Sequence, residues 1–339
     1  MRSKMNIEIT INKSILHVLD TNASIPILSD TLLNMTLTVK DYIERHVQRS
    51  IKDTDIKRTI FRVGSQFKER IRDYRKNSHE LVRVSSEIAQ LFFDYMIENI
   101  EIPSADLVFV DFEMNHENYL GIFKFNYKQG YIHYVNTDNG LTNDIIVQPC
   151  VLPTESQKLD EFVLINLTTD EILLKEKKYL INNEKDFYIS TQLLFCEPAI
   201  SEKEAFEIVE KTVKEVIGKE YGGDYEKLNT VKTVIADDYE AEREIDIDNI
   251  AKVVFDGDET IQEKFKESLE QKGLYEKKVQ MTQNIEKKIF GKQKFVTDTG
   301  IEISIPTEQL KRNDIIEFKN NPDGTISVEI KNIGLLNHK

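Results

Sequence analysis

The feature that most constrains this chain is a series of strand-like segments between residues 106 and 180 with nothing helical between them. Asp106–Met114 (DLVFVDFEM) and Tyr119–Tyr127 (YLGIFKFNY) flank the polar turn Asn115-His116-Glu117-Asn118. Apolar, β-branched and aromatic runs joined by such a turn read as a hairpin. Gly130–Val135, Asp144–Leu152 and Glu161–Asn166 continue the series, and Glu171–Leu180 supplies one more strand. Strands that succeed one another through short turns pair antiparallel, because a parallel pair needs a crossover of a dozen or more residues. The block therefore predicts an antiparallel sheet.

Helical periodicity brackets the block. Residues 6–19 alternate Ile7, Ile9 and Ile11 with polar residues and read as a first strand. Residues 40–51 place Ile43, Val47 and Ile51 on one helix face. Over 56–76 the apolar residues Ile56, Ile60, Val63, Phe67, Ile71 and Tyr74 keep spacings of three or four, which predicts a second helix, with Gly64 its weak point. Residues 85–100 predict a third, with Ser85 or Ser86 as N-cap and Ile88, Leu91, Phe92, Tyr95 and Met96 on its apolar face. Glu197-Pro198 breaks the strand series, and Ser201 with Glu204 forms a capping box for a helix to about Ile217. From 225 to 288 the chain reads as mainly helical, with helices at Asp246–Val254 and Glu259–Leu269. Strands return at Lys294–Val296, Ile301–Ile305, Ile315–Phe318 and Thr325–Ile330, the last two parted by the turn Asn321-Pro322-Asp323-Gly324. The expected fold class is α+β. Residues 1–198 form an antiparallel sheet with helices, and 199–339 form a helical region followed by a small antiparallel β element. At 339 residues the chain is long enough for two such cores.

Charge narrows the function. The formal net charge is −14. Affinity for nucleic acid comes mostly from neutralising phosphates, so an acidic chain binds it only if its cations are gathered. Along the sequence they are. Residues 41–76 hold eleven Lys or Arg against six Asp or Glu, 201–270 hold ten against twenty-one, and 271–295 hold seven Lys against two Glu. The expected phosphate contacts are Arg45, Arg49, Lys57, Arg58, Arg62, Lys68, Arg72, Arg75 and Lys76, helped by Lys277, Lys278, Lys287 and Lys288. Arginine pairs two donors with a phosphate, which favours the first segment. The acidic stretch reads as a solvated face, or as a docking surface for a protein partner in an adaptor.

Catalytic motifs are mostly absent. The sequence contains no G-x-x-x-x-G-K-[ST], G-x-G-x-x-G, G-x-S-x-G or H-E-x-x-H, and no cofactor is expected. Cys150 and Cys196 both lie in apolar stretches and are expected as buried, reduced thiols rather than metal ligands. His17 and His133, in strand-like segments, are expected in the core. One constellation carries possible chemistry. Asp111 and Glu113 share a strand face and Lys124 lies on the next strand, which is how a metal-dependent nuclease holds a divalent ion and orients water. Such sites favour a carboxylate two residues before the lysine, and Ile122 stands there. The plain alternative is an ordinary hairpin with polar residues on an open face. No apolar run reaches the roughly 18 residues of a membrane span, and the N-terminus lacks a signal-peptide core, so a cytoplasmic location is expected.

Several segments in order resemble the bacterial nucleoid-associated protein family. These are ILHVLD (Ile15–Asp20), LSDTLL (Leu28–Leu33), SSEIAQLFFDYM (Ser85–Met96), LVFVDFE with YLGIFKF, DFYISTQLLF (Asp186–Phe195) and ISEKEAFEIVEKTVKEV (Ile200–Val216). The resemblance implies a nucleoid location, DNA binding, contact with chromosome-handling proteins such as type II topoisomerases, and a homodimer. It carries no assigned catalytic residues.

Overall fold

The computed structural model describes residues 7–136, 141–281, 292–306, 309, 314–321 and 325–335. The chain divides into two compact units, Met1–Ser201 and Glu202–Lys339.

The first unit is built on a six-stranded sheet. Its strands are β1 (Ile9–Leu19), β2 (Lys57–Thr59), β3 (Ala105–Met114), β4 (Glu117–Asn126), β7 (Glu161–Asn166) and β8 (Ile172–Lys175), in the order β1-β3-β4-β7-β8-β2. Every pairing is antiparallel. The intervening β5 (Lys128–Asn136) and β6 (Thr142–Val151) form a separate two-stranded ribbon, and β9 (Tyr179–Ile181) with β10 (Glu184–Asp186) form another. The expected strand over 171–180 is thus two strands, β8 and β9. Asn182 and Asn183 both adopt positive φ in the β9–β10 turn, as a tight two-residue hairpin requires.

Helices cover both faces of the sheet. Leu107, Phe109, Leu120, Ile122, Val163 and Ile165 pack with residues of α2 (Gln66–Lys76) and α3 (Leu81–Glu98). The opposite face, with Val108, Val110, Phe112, Phe123 and Leu164, packs with Ile43 and Val47 of α1 (Leu37–Ile51). Burial on both sides explains why β3 and β4 read as nearly unbroken apolar runs rather than as alternation. It also corrects the expectation of an open hairpin face for Asp111 and Lys124, which are buried, while Glu113, Glu117 and Asn118 near the turn stay partly or fully exposed.

The helix expected over 56–76 forms only in its second half. Lys57–Thr59 joins the sheet edge against β8, with Arg58 opposite Leu173. Its burial alternates, Lys57 and Thr59 in and Arg58 out. Gly64 then turns the chain at φ +89°, and the Ser65 hydroxyl accepts from Lys68 N–H to start α2. Two of the expected core residues sit elsewhere. His133 on β5 and Cys150 on β6 are exposed, because the ribbon covers nothing. His17 and Cys196 are buried, and burial pushes the Cys196 thiol up to about 12.

The second unit holds α4 (Glu202–Glu220), α5 (Tyr225–Glu242), α6 (Ile247–Val254) and α7 (Glu259–Gln271) around Val209, Val213, Ile217, Ile250, Phe255 and Phe265. The mainly helical stretch also contains a short strand pair, β11 (Glu244–Asp246) with β12 (Lys278–Gln280). The C-terminal strands form where expected, β13 (Lys292–Val296) on β14 (Glu302–Pro306) and β15 (Ile316–Asn320) on β16 (Ile326–Ile330).

Candidate nucleic-acid interface

Folding partners most of the first basic segment with carboxylates. Lys57 is buried, its ammonium 3.3 Å from Glu176 and 3.2 Å from the centre of the Phe187 ring. Arg58 meets Glu171 at 3.0 Å and Arg62 meets Glu197 at 3.4 Å. Lys68 and Arg75 share Asp170, which Lys68 reaches at 3.0 Å. Arg72 pairs with Glu69 at 2.9 Å and Lys76 with Asp73 at 2.9 Å, each within its own helix turn. Exposed pairs of this kind add little stability. They do cancel the local field, and the seven residues form no continuous free cationic face.

Arg45 and Arg49 behave differently. With Lys52 they stand at i, i+4 and i+7, along one edge of α1 and its C-cap. None of the three has an ion-pair partner among the described residues. They line an open groove of about 480 Å³ whose other wall is the loop between β6 and β7, carrying Glu155, Ser156 and Lys158. Two contacts seat that loop on α1. The Tyr42 hydroxyl donates to the Pro153 carbonyl at 2.7 Å, and Arg49 Nε donates to the Glu155 carbonyl at 3.0 Å. On the floor lies Asp53. Burial would push its carboxyl up, but the Asp55 N–H and the ammoniums of Lys175 (2.9 Å) and Lys158 (3.3 Å) outweigh that and hold it below the usual carboxylate range. The buried Asp53 carboxylate thus holds Lys175 and the groove-lining Lys158, and the three rim cations have no ion-pair partner among the described residues.

The sequence marks Arg45 and Arg49 but not the rest of this site. The helical spacing of Lys52 to them is legible in the sequence. Lys158 carries no local signal, because the loop that presents it is brought to α1 by the fold.

The second basic segment is also paired. Lys277 lies 3.8 Å from Asp248. Lys278 sits between Glu242, at 2.9 Å, and Glu244, and these contacts raise its pKa above the ordinary lysine value. Its surroundings form a small acidic groove with Asp238 and Asp246. Lys287 and Lys288 lie outside the described residues.

The nuclease constellation is dispersed. Asp111 stands opposite Leu120, and Lys124 stands opposite Leu107. Four residues of strand separate the two side chains, about 13 Å. Asp111 accepts from Asn12 at 2.9 Å and from the Tyr74 hydroxyl. Lys124 donates to Asn126 at 2.6 Å and to Glu161 at 2.8 Å, and Tyr179 donates to the same Glu161 oxygen at 2.9 Å. Glu113 is at the turn, 3.3 Å from His116. No group of three or more His, Cys, Asp or Glu side chains among the described residues is placed to hold a metal ion. Within those residues, too, no helix is long and apolar enough to cross a membrane.

No curated protein matches the chain. The family model described as nucleoid-associated protein YejK matches residues 15–335, both units included. The strand block, the helices on either side of it and the C-terminal strand pairs all fall inside that match, and the chain belongs to the nucleoid-associated protein family.

Proposed function

We propose that this member of the family contacts DNA phosphates through the groove of α1, with Arg45, Arg49 and Lys52 as the primary contacts and Lys158 beside them. The observation that carries this reading is that, among the described residues, none of the three rim cations has a carboxylate partner, while seven other cations of the same segment are paired. A free guanidinium needs to lose no ion pair before it meets a phosphate, and it offers two parallel donors.

Salt dependence tests it. Three phosphates neutralised give a slope of log affinity on log salt of about −2.7, so affinity falls about 40-fold from about 50 to about 200 mM salt. Changing Arg45, Arg49 and Lys52 together to Gln brings the slope close to zero in a gel-shift titration. Changing Arg58, Arg62, Arg72 and Arg75 together to Gln leaves it near the wild-type value. The reverse pattern assigns the contact to the paired arginines and sinks the groove.

The same pairing supports a second reading, an adaptor that reaches the nucleoid through a protein partner docked on its acidic half. It holds 22 Lys or Arg against 30 Asp or Glu from residue 202 onward. A wild-type salt slope near zero, with DNA retained only in the presence of chromosome-associated protein, selects this reading over direct contact.

A further inference from the structure

The groove beside α1 is concave, whereas a DNA duplex is convex. About 480 Å³ of space lies between the helix edge and the loop between β6 and β7, the size of a small-molecule site. Its cations come from both walls, Arg45, Arg49 and Lys52 from α1 and its C-cap and Lys158 from the loop. A duplex backbone meets the rim of such a groove, but a small anion inside it is met from two sides. Arg49 donates its Nε to the Glu155 carbonyl at 3.0 Å, which ties the guanidinium to the loop, and its two Nη groups have no partner among the described residues. The negative groups nearby oppose an anion weakly. The Asp53 side chain is only 3 % exposed and lies against the ammoniums of Lys175 and Lys158, so its charge is matched from within. The C-terminal end of α1 adds about half a negative charge, well short of four cations. Glu155 is the remaining acid of the lining.

We propose that the groove binds a free oligophosphate chain, that of a nucleoside triphosphate or of inorganic polyphosphate, and that this ligand and DNA exclude one another there. The exclusion rests on the DNA reading of the groove, and the ligand site does not. Charge sets the class of ligand. With Lys175 behind Asp53 the site holds five cations and two carboxylates, a balance that an anion of about three or four charges meets and a monophosphate, with about two, does not. Extent points the same way. From Arg45 to Lys52 the helix advances about 10 Å, so the cations follow a line rather than a point. A chain of phosphoryl groups can engage them together, each through charge-assisted hydrogen bonds, and a single phosphate cannot.

Equilibrium dialysis of the full chain against tripolyphosphate, with no DNA present, tests the ligand site. Wild type is expected to bind with a Kd of about 100 µM, ordinary for a ligand of about a dozen heavy atoms, and to bind inorganic phosphate much more weakly. Lys158→Gln is expected to weaken tripolyphosphate about fivefold, and Arg45→Gln with Arg49→Gln and Lys52→Gln about 100-fold, at the upper end for exposed charge pairs. Glu155→Gln is expected to tighten binding about threefold, a gain that a misfolded variant cannot give. ATP that binds as tightly as tripolyphosphate identifies a nucleotide as a source, and ATP that binds more weakly identifies inorganic polyphosphate; both support the site. No binding at about 1 mM tripolyphosphate, or binding unchanged in the triple variant, overturns it. A gel shift without magnesium, at constant ionic strength, then tests the exclusion. About 1 mM tripolyphosphate should weaken DNA binding about tenfold, the mass-action factor for a ligand at about ten times its Kd. A chain that holds tripolyphosphate through these residues but binds no DNA keeps the ligand site and fails the DNA reading alone. A chain that holds ligand and DNA at once overturns the exclusion.

Discussion

His17 shows how one buried side chain ties stability to pH. The Ser29 N–H donates to its Nδ1 at 3.0 Å, so Nε2 carries the proton and donates to Ser85 Oγ at 2.9 Å, and Ser85 in turn donates to the Val82 carbonyl. A second proton would set two N–H groups against each other, and burial lowers the pKa to about 4. A histidine with a depressed folded pKa stays neutral where the unfolded chain takes up a proton. Stability is therefore complete above the unfolded value of 6.5 and declines as pH falls toward 4. His17 alone accounts for a loss of about 2.5 kcal/mol between about pH 7 and about pH 4.5. Burial depresses His46 as well and adds to the loss with the same sign. Urea unfolding at stepped pH should show this decline, and His17→Gln should flatten it. Buried Lys124 and Glu161 give a second residue-scale expectation. Lys124→Ala removes the cation from the buried Glu161 carboxylate, to which the Tyr179 hydroxyl still donates, a loss of about 3–5 kcal/mol. Lys124→Met with Glu161→Leu should lose less than the two single changes summed, and a purely additive result would show that the pair is uncoupled. In sequence His17 was legible as a core histidine. The burial of Lys124 was not, because its partner Glu161 lies 37 residues away on the other neighbour of β4.

At the scale of elements, the strand block and the helices at 37–51 and 81–98 were readable because periodicity there meets no competing signal. The stretch 56–76 shows where that reasoning stops. Its apolar residues keep helical spacing throughout, yet Lys57–Thr59 pairs with β8, and the spacing of Ile56, Ile60 and Val63 is no guide to that edge. Ile60 is 54 % exposed and Val63 fully so, whereas Phe67, Ile71 and Tyr74 are buried. The real start of α2 is written in Gly64-Ser65, a left-handed turn followed by a cap. Ser65 Oγ accepts from Lys68 N–H and donates to the Leu194 carbonyl at 2.7 Å, so the residue fixes both the helix end and its docking. Ser65→Ala should destabilise the first unit by about 1–2 kcal/mol. Gly64→Ala, at a φ of +89° with open space around it, should cost about 1 kcal/mol through backbone strain alone. Chemical denaturation resolves both. A neutral Ser65→Ala would mean that water replaces both hydrogen bonds.

For the whole molecule, charge counted along the sequence misled because pairing is a three-dimensional property. Arg58 finds Glu171 and Arg62 finds Glu197 across more than a hundred residues, so a basic window of sequence becomes a nearly neutral surface. What survives is a small free set on α1 in a unit that is itself acidic, joined to a second unit with eight more acidic than basic residues. If the groove contacts DNA as proposed, the complex forms against the net negative charge of the chain, and short-range contact at the groove has to favour it. On that proposal, the net negative charge of the second unit is expected to oppose binding at low salt. The fragment Met1–Ser201 holds its own two-sided core and all four groove cations. It should bind DNA about tenfold tighter than the full chain at about 20 mM salt, where the Debye length is about 20 Å. The advantage should shrink below about twofold at about 300 mM, where that length is about 6 Å. Equal affinities at low salt would mean that the acidic unit exerts no field at the groove, and a fragment that binds more weakly would place essential DNA contacts beyond residue 201.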